Sequence, residues 1–218
     1  MQTDIIARRT DLKAGRWVEI VRDSVAENPL QDWDWAGHLA LTPRYSWAGT
    51  DEGKDDPRDR EFRKRLRAIR IFGGVVLPVY AYDHSGVTFS VNNSYPFSDP
   101  WDGGQVGYAY MTSKEIEKEY KGDRARATEH LKAMVLYADA YSNGECYGYR
   151  TYGPDGNELD SCWGFWNTYP TWEDFMNKIA ESVPDEFSEL VRDCDCGSLD
   201  PLEVILVRYF VPGFAPAV

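Results

Sequence analysis

Asp83-His84-Ser85 sets a carboxylate, an imidazole and a hydroxyl side by side. A nucleophile–base–orienter relay needs those three groups to converge. Successive residues of an extended chain point to opposite sides, so three in a row cannot form one. The stretch Asp83–Gly86 reads instead as a turn, with Asp83 bonding local backbone and Gly86 allowing a positive φ. A sharper alternative brings His84 and Asp83 together with Asp99 or Asp102, from SDPWDGGQVGYAYM. With Gln105 beside them, these groups could line a cleft and work as a general acid and base, as in a hydrolase or a nucleotide-processing enzyme. The competing reading of that motif is structural. Its paired glycines permit a reversal or bulge ahead of a strand, Asp102 accepts backbone N–H bonds, and Trp101 covers the turn.

The second chemical feature is charge. The chain has 218 residues and a formal net charge of −12. Between Asp155 and Glu203 thirteen acids face only Lys178 and Arg192, so nearly all of the excess lies there. Arg58–Arg70 is the opposite, with seven bases against Asp59 and Glu61. Such asymmetry speaks of partners. An acidic surface repels nucleic acid and suits a basic groove, including the DNA- or RNA-binding groove of another protein. Glu173, Asp174, Glu181, Asp185, Glu186 and Glu189 are the candidate partner-binding residues. A dipole-friendly first turn accounts for Asp174 and Asp185, but not for Glu181 or Glu189. The basic run reads as a solvated helix face, and no direct nucleic-acid contact is expected of it.

Several chemistries lack their signatures. Cys146, Cys162, Cys194 and Cys196 have neither C-x2-C spacing nor a nearby histidine, so neither a metal nor another cofactor is expected. Gly103-Gly104-Gln105-Val106-Gly107 is not a phosphate-cradling loop, and no G-x-S-x-G or H-E-x-x-H motif occurs. No apolar run approaches the ~18 residues of a membrane span. The first residues show no secretory pattern, which makes the cytoplasm the expected location.

The elements that must position these groups follow from periodicity. Arg16–Asp23 reads as a strand, and Pro29–Gly49 as an aromatic-rich segment packed irregularly on the core. Phe62, Leu66 and Ile69 predict a helix over Glu61–Arg67. Ile69–Tyr82 predicts one or two strands, with a bulge or tight turn at Gly73-Gly74 and an interruption at Pro78. Val87–Val91 and Gln105–Met111 read as strands. Thr112-x-x-Glu115 is a capping box that opens a helix ending near Lys121-Gly122. A longer helix, Asp123–Ser142, carries Leu131, Met134, Val135, Ala138 and Tyr141 on one stripe. Glu145–Tyr152 and Glu158–Phe165 form a hairpin across GPDGN. Thr171 and Ser182 begin two acidic helices, and Val204–Val211 reads as a final strand. The order predicts an α+β fold, a mostly antiparallel sheet with helices packed on one face. Residues 1–218 are expected to form a single compact domain, optionally an N-terminal subregion 1–68 fused to a core 69–218.

YDHSGVTFS, DPWDGGQVGYAYMT and YGYRTYGPDGNELDSCWGFW resemble an uncharacterised family of small proteins of phages and mobile elements. There an H-S-G-[IV]-x-[FL]-S turn, a W-D-[SG]-G-Q-V-G segment and a D-S-C-W-G-F strand recur in this order. The resemblance spans roughly Tyr80–Trp166. It implies a mobile-element setting, in which small acidic proteins inhibit host restriction or CRISPR defence. The leading expectation is therefore a non-enzymatic inhibitor, an anti-CRISPR or antirestriction protein whose partner is a host defence protein or ribonucleoprotein with a basic groove. The alternatives are the enzyme described above and a phage accessory or scaffolding protein acting through exposed aromatics. The three motifs are expected to meet as a scaffold at one sheet end.

Overall fold

The computed structural model describes residues 4–50, 55–92, 96–97 and 101–195. In chain order the elements are β1 (Ile5–Asp11), β2 (Arg16–Arg22), α1 (Pro29–Asp32), β3 (His38–Leu41), a 3-10 turn (Pro43–Ala48), α2 (Arg60–Ile71), β4 (Val75–Asp83), β5 (Val87–Val91), β6 (Gly103–Met111), α3 (Ser113–Tyr120), α4 (Arg124–Ser142), β7 (Cys146–Tyr152), β8 (Glu158–Trp166), α5 (Trp172–Ala180) and α6 (Asp185–Arg192). The fold is α+β. It holds two four-stranded antiparallel sheets, ordered β1-β2-β7-β8 and β3-β6-β4-β5. The expected strand at Val204–Val211 lies outside the described residues.

The chain divides into two compact units. The first joins both ends of the sequence, with described residues 4–26 and 144–195, and the second is Glu27–Asn143. The boundaries thus fall at 26/27 and 143/144, whereas position 68 lies inside α2 of the second unit.

In the first unit α5 and α6 cover one sheet face. Phe175, Met176, Ile179, Phe187 and Val191 pack against Ala7, Val18, Ile20, Tyr147 and Tyr149. Each fully buried side chain of this size contributes roughly 1.5–3 kcal/mol. The hairpin β7–β8 closes through GPDGN, where Gly156 takes a φ of +80° and Asn157 N donates to Asp155 Oδ1 at 3.2 Å. Thr171 caps α5, its Oγ1 accepting from Asp174 N at 3.1 Å. Ser182 does not cap α6, which begins after Pro184 without a side-chain cap.

In the second unit helices lie on both sheet faces. Leu131, Met134, Val135 and Ala138 of α4 pack on Leu39, Val79, Ala81, Phe89, Ala109 and Met111. Phe62 and Leu66 of α2 pack on Ala40, Val76 and Tyr110. The helix α2 runs on through Ile71, so Ile69–Ile71 is helical and not strand. Gly73, at φ +88°, then turns the chain into β4. Pro78 lies within β4 because β5 pairs only from Val79 to Asp83, so no partner on that side needs the missing N–H. Gly103 and Gly104 are ladder residues opposite Tyr82 and Ala81, not a reversal. The register slip comes at Val106, between the pairs Gln105–Tyr80 and Gly107–Val79.

Candidate functional site

The turn between β4 and β5 and the start of β6 bring part of the expected catalytic group together. Asp83 N donates to Asp102 O at 2.8 Å, and His84 Nδ1 stands 3.0 Å from Asp102 Oδ2. The left-handed residue of the turn is Ser85 (φ +62°), not Gly86. Asp83 Oδ2 accepts from Arg44 Nη2 at 2.5 Å and from the Tyr45 hydroxyl at 3.0 Å. Burial, then the Asp83 carboxylate, raise the Tyr45 hydroxyl above its ordinary pKa, so it stays a donor. An open cleft of about 310 Å³ runs past these groups, lined by Arg44, Tyr45, Asp83, Trp101, Asp102 and the bare backbone of Gly103-Gly104, with Ala81 and Val106 beneath.

Of the residues expected here, Asp83, His84 and Asp102 meet. Asp99 lies outside the described residues. Gln105 is exposed, does not line the cleft, and bonds back to Gly107 O of its own strand at 3.4 Å. Arg44, Tyr45 and Trp101 were not expected as cleft residues. The 3-10 turn that carries the first two has no local mark of a site, and it reaches Asp83 from 39 residues away in sequence. The Arg44–Asp83 ion pair and Asp102, the partner of His84, line the cleft, and among the described residues the only lining hydroxyl, Tyr45, is already engaged. Proton transfer to or from a water or ligand hydroxyl is the chemistry such a set can perform.

The motif DSCWGF forms β8 in the first unit's sheet, whereas HSG and WDGGQVG lie in the second unit's sheet. Two of the three motifs meet; the third is built into a different sheet through its pairing with β7. There Trp163 packs against Gly148, where a Cβ would approach the indole to 2.4 Å.

The acidic candidates occupy one layer. Glu173, Asp174, Glu181, Asp185, Glu186 and Glu189 are all exposed, on or directly after α5 and α6, whose opposite sides carry the core residues of that unit. Lys178 Nζ pairs with Glu181 at 2.6 Å and Arg192 Nη1 with Glu189 at 2.5 Å. Arg9 Nε donates to Asp193 O at 2.7 Å, and its Nη2 pairs with Asp195. Among the described residues, Glu173, Asp174, Asp185 and Glu186 have no cationic partner. In the arginine-rich stretch Arg58 pairs with Asp56, Lys64 with Glu61 and Arg65 with Asp55, whereas Arg60, Arg63 and Arg67 are exposed without an acidic partner among the described residues.

Among the described residues no three His, Cys, Asp or Glu side chains converge as a metal site, and no helix is long and apolar enough to cross a membrane. Cys146 is buried, which pushes its thiol up to about 12, Cys194 is buried, and Cys162 is exposed. No family model, curated protein or solved structure matches this chain.

Proposed function

We propose that the protein is an inhibitor encoded by a phage or mobile element, which binds a host nucleic-acid-targeting defence complex through the outer face of α5 and α6. One observation carries this reading: Glu173, Asp174, Asp185 and Glu186 stand exposed on one helical layer, without a cationic partner among the described residues. Carboxylates spaced over such a layer can take the place of phosphates in a basic groove. Their attraction is long-ranged, speeds association and weakens as salt rises. The mobile-element setting rests on the motif resemblance alone. Capture from host lysate with the wild-type chain and with E173K/D174K/D185K/E186K tests it. A nucleic-acid-binding defence protein retained by the first and lost by the second is the expected result; equal retention by both removes the acidic face from the account.

The His84–Asp102 pair favours a second reading, an enzyme working in the cleft. Asp102 would orient the imidazole, and Nε2 would then accept a proton from water or a ligand hydroxyl. Turnover of an ester or glycoside that His84→Ala abolishes supports it; activity retained in that variant rejects it.

A further inference from the structure

Among the described residues, the charged side chains lining the second unit's cleft are Arg44, Asp83 and Asp102. Arg44 and Asp83 lie 2.5 Å apart, and His84 and Asp102 lie 3.0 Å apart. An anionic ligand would meet two carboxylates and one guanidinium already engaged. A cationic ligand would meet Arg44, whose side chain is 72% exposed. A ligand carrying either sign therefore meets a like charge at the cleft.

The cleft offers hydrogen bonds in quantity. Among the described residues, both bonds to the Asp83 carboxylate fall on Oδ2, which leaves Oδ1 to accept from a ligand. Arg44 has further N–H donors beyond the one turned to Asp83. Beside them Trp101 is 91% exposed. The face of an indole is electron-rich and apolar, and it attracts the slightly positive C–H face of a ring while the ring's edge keeps its hydroxyls for polar partners. Gly103 and Gly104 leave the floor as bare backbone, and a Cβ at Gly104 would point into open space. At about 310 Å³ the cleft is at the small end of ligand sites, the size of one or two pyranose rings.

We infer that this cleft binds a neutral saccharide, with one ring face on Trp101 and the hydroxyls held by Arg44, Asp83 and the His84–Asp102 pair. The inference names a ligand for the cleft of the second reading and rests on that cleft's geometry; it requires no turnover.

Calorimetric titration of the whole chain with cellohexaose, maltohexaose, xylohexaose and chitohexaose tests it, with uridine monophosphate and trimethyllysine as charged controls. At least one hexasaccharide binds with a Kd of about 1 mM or tighter, and Trp101→Ala weakens it by about tenfold or more. Trp101 is exposed, so the variant keeps its fold, which circular dichroism verifies. The E173K/D174K/D185K/E186K chain still binds the sugar. Absence of binding to all four sugars overturns the inference, as does binding that ignores Trp101→Ala or tighter binding of either charged control. Sugar binding without hydrolysis rejects the catalytic reading alone.

Discussion

Lys178 Nζ lies 2.6 Å from Glu181 Oε2, one turn along α5, and Arg192 stands in the same relation to Glu189 on α6. These are the only two cations on the helices, and each is spent within its own helix. The carboxylates at the start of each helix therefore keep their charge. Exposed i,i+3 pairs stabilise little, roughly 0.2–0.5 kcal/mol each. Lys178→Ala and Arg192→Ala are expected to leave the urea midpoint nearly unchanged while strengthening binding to a basic partner. A large loss of stability in either would show that these pairs hold the helices together.

Thr112 and Glu115 cap α3 reciprocally, with Thr112 N donating to Glu115 Oε2 at 2.7 Å and Glu115 N to Thr112 Oγ1 at 3.3 Å. Thr112→Ala is expected to cost about 1 kcal/mol in equilibrium unfolding. Burial works against the Glu115 carboxylate, but the bonds from Thr112 and His38 outweigh it and hold its pKa below the ordinary 4.5. A depressed carboxyl contributes stability that is present above its unfolded pKa and lost as pH falls through the folded one. Glu115→Gln should thus flatten the stability decline below about pH 4.5; an unchanged acid limb would contradict the coupling.

His130 reports on pH in the opposite chemical sense but with the same sign. Its ring lies 5.2 Å from Trp35 and 5.7 Å from Tyr120, and its buried Nε2 has no hydrogen-bond partner among the described residues. Burial lowers its pKa below 6.5. The fold favours the neutral ring, so this contribution is complete above pH 6.5 and is lost as pH falls through the lower folded value. Thermal melts of the wild type should weaken from pH 7 to pH 5, and His130→Phe should weaken less over that interval. Parallel curves for the two would refute it.

Two glycines of β6 separate packing from access. A Cβ at Gly107 would stand 2.2 Å from the Ala40 carbonyl oxygen on the neighbouring strand, whereas at Gly104 it would meet nothing within 4 Å. Gly107→Ala is expected to cost about 1–3 kcal/mol or more, and Gly104→Ala less than about 0.5 kcal/mol. Equal melting temperatures for the two variants would contradict the strand register.

Local chemistry made much of the fold legible. The Thr112 and Thr171 caps, the GPDGN hairpin and the α4 stripe each carry their signal within a few residues, and the helices and hairpin formed there. Short strands held only by distant partners did not announce themselves. His38–Leu41 sits in an aromatic segment without clear alternation, and it becomes β3 by pairing with β6. Ile5–Asp11 becomes β1 by pairing with β2 although four of its seven residues are polar or charged. Ile69–Ile71 has strand-like composition, yet α2 continues through it because Leu66 and Ile69 share the stripe that packs on Val76 and Tyr110. At the cleft, Asp83, His84 and Asp102 were legible by residue type. Arg44 and Tyr45 were not, because only the tertiary fold carries the 3-10 turn to them.

The most direct measurement is displacement of fluorescent duplex DNA from purified restriction and CRISPR effector complexes, read by anisotropy over a series of salt concentrations. The wild-type chain is expected to displace DNA from at least one of them, with an affinity that falls steeply as salt rises. The E173K/D174K/D185K/E186K chain should lose roughly 100-fold in potency and most of the salt slope. Displacement by the quadruple variant at wild-type potency would contradict the account.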